Sequence, residues 1–225
     1  MDIDFPKQYI DQLVVGFSKI PTKAFEAIVD VIMEAYKDEK QIFIIGNGGS
    51  AAIASHVACD LGKGALTNVY DIGEKRLRVI SLTDNMPLFS ALANDIGYEH
   101  VFEQQLRNLL KAGDVVIGIS GSGNSENVLN ALQYARDMKA TTVGFIGFDG
   151  GKMKSLCDYY LHFEENNYQR CEDAHLIFQH LIASWMAKKK KRFDEDIKKN
   201  RKHGRLFVDM PVDSVKKTVK KSKNV

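Results

Sequence analysis

Only three cysteines occur in 225 residues, Cys59, Cys157 and Cys171, and no two share a CxxC spacing. An odd, scattered set excludes a disulfide framework and points to reduced thiols in a cytoplasmic protein. No apolar run approaches about 18 residues, so no membrane span is expected. The N-terminus, "MDIDFPKQYIDQL", lacks a basic region followed by an apolar one and does not read as a secretory signal. There is no GxxxxGK[ST], which excludes a Walker loop. No Gly-x-Gly-x-x-Gly follows the first apolar run, which excludes the dinucleotide fingerprint. No internal repeat is visible.

Net charge is nearly absent too, at +2, but the balance is uneven. From Lys188 to Val225 there are 15 Lys/Arg against 5 Asp/Glu, so the remainder of the chain is acidic. A basic tail can seek nucleic acid or an acidic surface. This one has few aromatics and no nucleic-acid-binding signature, so it reads as a solvated, weakly ordered extension.

What is present is a set of short, nearly continuous apolar runs: "QIFIIG" (41–46), "LRVISL" (77–82), "VVIGIS" (115–120), "TTVGFIG" (141–147) and "YYLHF" (159–163). Continuity rather than alternation marks strands buried on both faces, as in a parallel sheet. Helical spacing fills the gaps, at about 50–63, 86–93, 99–112, 125–138 and 151–157. The alternation predicts a doubly wound α/β domain. Helices over roughly 6–38, broken near Pro21, precede it. A strong helix over about 171–190 follows, with Ala174, Phe178, Leu181 and Trp185 along one stripe. The reading is one domain over 1–190 with an N-terminal helical region, then a basic extension over 191–225.

Two strand ends carry glycine and hydroxyl residues where a core would want apolar ones. They are "GNGGSAA" (46–52) and "SGSGNS" (120–125). In open α/β sheets ligands bind outside the carboxyl ends of the strands. There, the N–H groups of a starting helix and its dipole favour an anion, and glycine permits close approach. Ser120, Ser122 and Ser125 add neutral donors. Neither loop holds a lysine, which favours a sugar phosphate over a nucleoside triphosphate. "DGGK" (149–152) reads as a turn with a helix start.

His56 and Asp60 lie at i and i+4, on one helix face. Glu172 and His180 lie eight residues apart on the late helix, within about 80° of each other. Two imidazoles and two carboxylates make a candidate site for Zn²⁺ or another divalent metal.

In this order, "FIIGNGGSAA", "GISGSGNSENV" and "GFDGGKM" resemble the sugar isomerase (SIS) domain. "GNGGS", "ALANDIGYEHVF" (91–102) and the histidine pattern resemble its phosphoheptose isomerase branch. The resemblance runs from about Ile10 to Trp185. It implies a five-stranded parallel sheet in flavodoxin-like order, flanked by helices. It also implies a homotetramer with sites at subunit boundaries, and aldose–ketose isomerisation of a phosphorylated sugar, sedoheptulose 7-phosphate to a heptose 7-phosphate. His56, Asp60, Glu172 and His180 fall at the family's metal positions. Asp60, or failing that Glu172, then serves as base and His180 as acid. Asn94 and Asp95 match positions that bind sugar hydroxyls. Asn47, Gly48, Gly49, Ser50, Ser120, Gly121, Ser122 and Ser125 match positions that hold the phosphate end. Three departures stand out. Asp60 replaces Glu and draws its carboxylate back by about 1.5 Å. Glu172 replaces Gln and adds a charge. Gly121 replaces Thr and removes a hydroxyl. His175 is the nearest competitor to His180 and ranks as a packing residue or one that supports a ligand. The alternative reading is a non-catalytic relative that binds phosphosugars or assists a replication initiator. Such a relative could dispense with His56 and His180, and both are present.

Overall fold

The computed structural model describes residues 4–202. Two helices come first, α1 (Phe5–Ser18) and α2 (Thr22–Lys37), joined at Pro21. Then follow β1 (Gln41–Gly46), α3 (Gly49–Cys59), β2 (Arg78–Ser81), α4 (Met86–Asp95), α5 (Val101–Leu109), β3 (Val115–Ser120), α6 (Glu126–Asp137), β4 (Thr141–Ile146), α7 (Met153–Leu156), β5 (Tyr159–His162) and α8 (Tyr168–Lys202). All strand pairs are parallel, in the order β2-β1-β3-β4-β5. This is the flavodoxin-like order expected for a doubly wound sheet, with its switch point between β1 and β3.

The central strands β1, β3 and β4 are almost wholly apolar and buried because helices cover both of their faces, while the edge strands β2 and β5 stay partly exposed. Phe43, Ile45, Val116 and Ile146 point to a core built with Val101, Phe102 and Leu106 of α5, Val128 and Leu132 of α6, and Met153 of α7. Alternate residues point the other way. There Phe145 meets the Phe178 ring of α8 at 5.8 Å, and Phe178 meets Phe25 of α2 at 5.5 Å and Phe17 of α1 at 5.7 Å. Helix α2 buries Phe25, Ile28, Val29, Ile32, Met33 and Tyr36, a stripe of helical period.

Helix α8 differs from expectation in two ways. Its buried row is Ala174, Phe178, Ile182 and Met186, at four-residue spacing; Leu181 stays exposed and Trp185 half-buried. Each of those two precedes a buried residue by one position, a rotation of about 100°. The helix also continues past Lys190 to Lys202. Lys, Arg, Asp and Glu are tolerated in helices, and Asp194/Lys198 and Glu195/Lys199 have the i,i+4 order that supports one. The chain divides into two compact units at Lys190, with the sheet in the first. The apolar stretch at 205–215 and most of the basic extension lie outside the described residues.

The connection from Ala65 to Leu77 is fastened chiefly by a buried ion pair, with a second, exposed one between Lys75 and Glu39. The Glu74 carboxylate accepts N–H bonds from Thr67 and Asn68, each at 2.8 Å, and from Lys190 Nζ at 2.6 Å. Lys190 is fully buried, with its ammonium 5.3 Å from the Tyr36 ring centre. Burial alone would raise the Glu74 pKa, but the ammonium and the two amides outweigh it and hold it at about 2. Removing one charge of a buried, hydrogen-bonded ion pair is costly, so Glu74→Gln should lower the unfolding free energy near neutral pH by about 3 kcal/mol. Because the folded pKa lies below the ordinary 4.5, the wild-type advantage is complete above pH 4.5 and fades as pH falls toward 2. Urea unfolding of both proteins across that range measures it. A difference that does not vary with pH would contradict this account.

Candidate active site

Strands β1 and β3 are hydrogen-bonded neighbours, with Gly46 opposite Ile119. Their loops therefore leave the sheet side by side. In the first loop Gly48 has φ +54°, a conformation that favours glycine, and α3 starts at Gly49 with no side-chain cap. A Cβ at Gly49 would overlap the Glu172 carboxylate, so this glycine gives the carboxylate its place against the start of α3. Ser50 is buried in the first turn of α3.

In the second loop, buried Ser120 turns its Oγ inward. It accepts the Gly123 N–H at 3.1 Å and lies 3.1 Å from Ser125 Oγ. Ser122 Oγ accepts the Asn124 N–H at 3.2 Å. Ser125 precedes α6 but does not cap it. Its hydroxyl is turned to Ser120, and while Val128 N–H donates to the Ser125 carbonyl at 3.0 Å, the amides of Glu126 and Asn127 are left to another acceptor. Gly121 faces the Tyr168 ring, whose edge atoms would lie 3.2–3.3 Å from an added Cβ. The aromatic thus occupies the space that a threonine would need.

The DGGK turn backs this loop. Gly123 (φ +64°) and Gly151 (φ +50°) lie back to back: a Cβ on the first would strike the Gly150 carbonyl, and one on the second the carbonyls of Ser122 and Gly123. Met153 N–H donates to Gly123 O at 3.0 Å. Asn124 latches both sides, donating to Ser122 O at 3.0 Å and accepting the Lys152 N–H at 3.1 Å.

Between the two loops lies a cavity of about 300 Å³, lined by Asn47, Tyr98, Glu99, Ser125, Glu126 and Asn127. Of these, only Asn47 and Ser125 were singled out from the sequence. Asn127 had a signal: it is polar yet belongs to the buried row that continues through Val128, Ala131, Leu132 and Ala135. Tyr98 and Glu99 had none beyond lying in the resembling segment. Asn94 and Asp95 sit exposed at the end of α4, hydrogen-bonded to each other at 2.8 Å, and do not line this cavity.

The titratable cluster lies farther along α3. Asp60 follows the helix directly and opens a single π-helical turn, Asp60–Gly64. Its Oδ2 is 3.5 Å from His56 Nε2 and 3.7 Å from His180 Nε2. The two imidazole rings meet edge to face, with centres 4.9 Å apart. Among the described residues these three offer ligand atoms within 4.8 Å of one another. Two imidazole nitrogens and one carboxylate oxygen suit Zn²⁺ or a similar divalent ion, and the partial exposure of all three leaves room for further ligands. Glu172 stands apart from this set. It lies two turns, about 12 Å, back along α8 and rests against Gly49. His175 faces the opposite way, into the core between Phe145 and Phe178. Burial pushes its pKa down to about 4, so it is neutral at neutral pH.

The interlocked glycines give a direct test of the loop's packing. Gly123→Ala should cost about 2 kcal/mol or more in urea unfolding, since it combines a strained φ with a carbonyl overlap. Gly62→Ala meets no atom within 4 Å and should be neutral or slightly stabilising. Equal effects would show that the back-to-back packing is not rigid.

The chain matches the SIS domain over residues 7–147. It is 43% identical over 153 residues to the phosphoheptose isomerase of Aliarcobacter butzleri, covering 68% of this chain and 78% of that protein. It is 35% identical over 181 residues to that of Clostridium acetobutylicum, covering 80% and 84%. The structure of phosphoheptose isomerase from Neisseria gonorrhoeae superposes with a TM-score of 0.73 at 29% identity, covering 81% of this chain and 94% of that one. With the strand order, the paired loops and these matches in agreement, the chain belongs to the SIS domain family, in its phosphoheptose isomerase branch.

Proposed function

We propose that this protein is an aldose–ketose isomerase that converts sedoheptulose 7-phosphate to D-glycero-D-manno-heptose 7-phosphate. The observation that carries the reading is the convergence of His56, Asp60 and His180 on two helices, one of which, α3, starts at the glycine loop. Curated relatives carry the name phosphoheptose isomerase, which supports a phosphorylated heptose as the sugar. The amides of Glu126 and Asn127 and the hydroxyls of Ser122 and Ser125 would hold the phosphate through neutral donors, aided by the helix dipole, with buried Ser120 bracing the loop through Gly123 and Ser125. Asn47, Gly48, Gly49 and Ser50 would close the other side.

Isomerisation needs one base and one acid. A carboxylate takes the proton from the carbon beside the carbonyl, and an imidazolium protonates the carbonyl oxygen. The enediol then takes the first proton back at the neighbouring carbon, while its terminal hydroxyl returns a proton to the imidazole. Asp60 and His180 are assigned to these roles. Glu172, against the start of α3, is the second carboxylate within the site. A divalent ion such as Zn²⁺, held by His56, Asp60 and His180, would supply Lewis-acid stabilisation of the developing oxyanion. Failing Asp60, Glu172 is the remaining carboxylate for the base role.

The exposed apolar residues Phe5, Ile10 and Val14 of α1, with Ile177 and Leu181 of α8, support association into a homotetramer. Among the described residues no helix is long and apolar enough to cross a membrane. With the free thiols, this supports a cytoplasmic location.

The test is heptose 7-phosphate formation by wild type and His180→Ala, with chelator and with added Zn²⁺. His180→Ala should lower kcat by about 10² or more, and Zn²⁺ should restore what chelator removes. Unchanged turnover in His180→Ala would overturn the acid assignment. Absence of turnover on any ketose phosphate would favour a binding protein.

A further inference from the structure

The cavity between the loops contains a hydrogen-bonded hub of which only Asn47 has been given a role above. Asn47 Nδ2 donates to Asn127 Oδ1 at 2.8 Å, and Asn127 Nδ2 donates back to Asn47 Oδ1 at 2.9 Å. Tyr98 Oη also donates to Asn47 Oδ1, at 2.9 Å. A carboxamide oxygen has two lone pairs, and the NH₂ has two hydrogens. Both acceptor sites of Asn47 are therefore taken, while one N–H remains. Asn47 can offer the cavity a donor and nothing else.

Asn127 is only 2% exposed, and burying a carboxamide is costly unless its hydrogen bonds are made. Here they are made across the switch point, since Asn47 leaves β1 and Asn127 stands at the start of α6, after β3. The pair therefore cross-links the two ligand-facing loops. Tyr98 enters from a third connection, the single 3-10 turn Tyr98–His100 between α4 and α5. Two carboxylates, Glu99 and Glu126, complete the lining. The cavity is thus polarised, with acceptors on the glutamates and a donor on Asn47.

We propose that Asn127 and Tyr98 are positioning residues that lock the Asn47 carboxamide as a donor aimed at an oxygen of the phosphorylated sugar. The proposal rests on the reading of this cavity as part of the sugar phosphate's seat. It makes Asn127 act through Asn47, so removing Asn127 should add nothing once Asn47 is gone. Two independent ligand contacts would instead give effects that multiply.

The experiment is a double-mutant cycle on the full chain. Sedoheptulose 7-phosphate affinity is measured by calorimetry for wild type, Asn47→Ala, Asn127→Ala and the double variant, with steady-state kinetics alongside. Asn127→Ala should weaken binding about 10-fold and raise KM more than it lowers kcat, and the double variant should match Asn47→Ala within about twofold. Tyr98→Phe removes only a half-exposed hydroxyl, so it tests the same lock without threatening the fold; it should weaken binding about threefold or more. Multiplicative effects of Asn47→Ala and Asn127→Ala would overturn the proposal, as would wild-type affinity in Tyr98→Phe. If those results come from a wild type that turns the ketose phosphate over, the functional reading survives and only the lock fails. A wild type that binds no sugar phosphate overturns both.

Discussion

The site depends on the hydrogen bonding of β1 to β3. Once those strands pair in parallel at the switch point, the loops after Gly46 and Ser120 must emerge together, a strand spacing of about 4.8 Å apart. Each loop then opens a helix whose first amides lack a side-chain cap. The glycines serve this arrangement in different ways. Gly48 supplies a backbone turn, Gly49 admits a carboxylate, and Gly123 admits the neighbouring turn. Neither loop would keep its shape alone. The serine loop is held from behind by residues 150–153, and Asn127, just after it, is tied to Asn47 of the first loop.

The second determinant is the run of α3 beside α8. Gly49 meets Glu172 near the start of both helices, and His56 meets His180 about two turns later. The helices therefore advance in the same direction, away from the glycine and serine loops and toward the cluster of His56, Asp60 and His180. A substrate held at one end by its phosphate would present its carbon chain along this seam. The change from the family's glutamine to Glu172 acquires a physical context here: the carboxylate lies over the N-terminal turn of α3, where a helix dipole favours negative charge. Asp60 opens a single π-helical turn, a local widening of the helix often found at functional sites.

The strands were legible because parallel strands buried on both faces are written as continuous apolar runs. Val115–Ser120 and Gln41–Gly46 fall where the runs place them. The pairing of His56 with Asp60 was legible because i,i+4 spacing is local. Its completion by His180 needed α3 and α8 to be neighbours, which spacing within either helix does not state. The placement of Glu172 against Gly49, rather than with the histidines, depends on that same long-range contact. Asn127 stood out as a polar residue in a buried row, yet its partner Asn47 is 80 positions away. The length of α8 escaped because high charge was read as absence of structure, and charged residues with i,i+4 complements form helix readily.

The central claim is that neutral donors at the carboxyl edge of the sheet fix the phosphate while groups on α3 and α8 work on the far end of the sugar. A crystal structure with sedoheptulose 7-phosphate bound tests it most directly. The account predicts the phosphate against the Ser120–Ser125 loop and the first turn of α6, with the carbonyl carbon turned toward His180 and Asp60. A phosphate bound elsewhere, with that loop empty and His180 remote from the sugar, would contradict it.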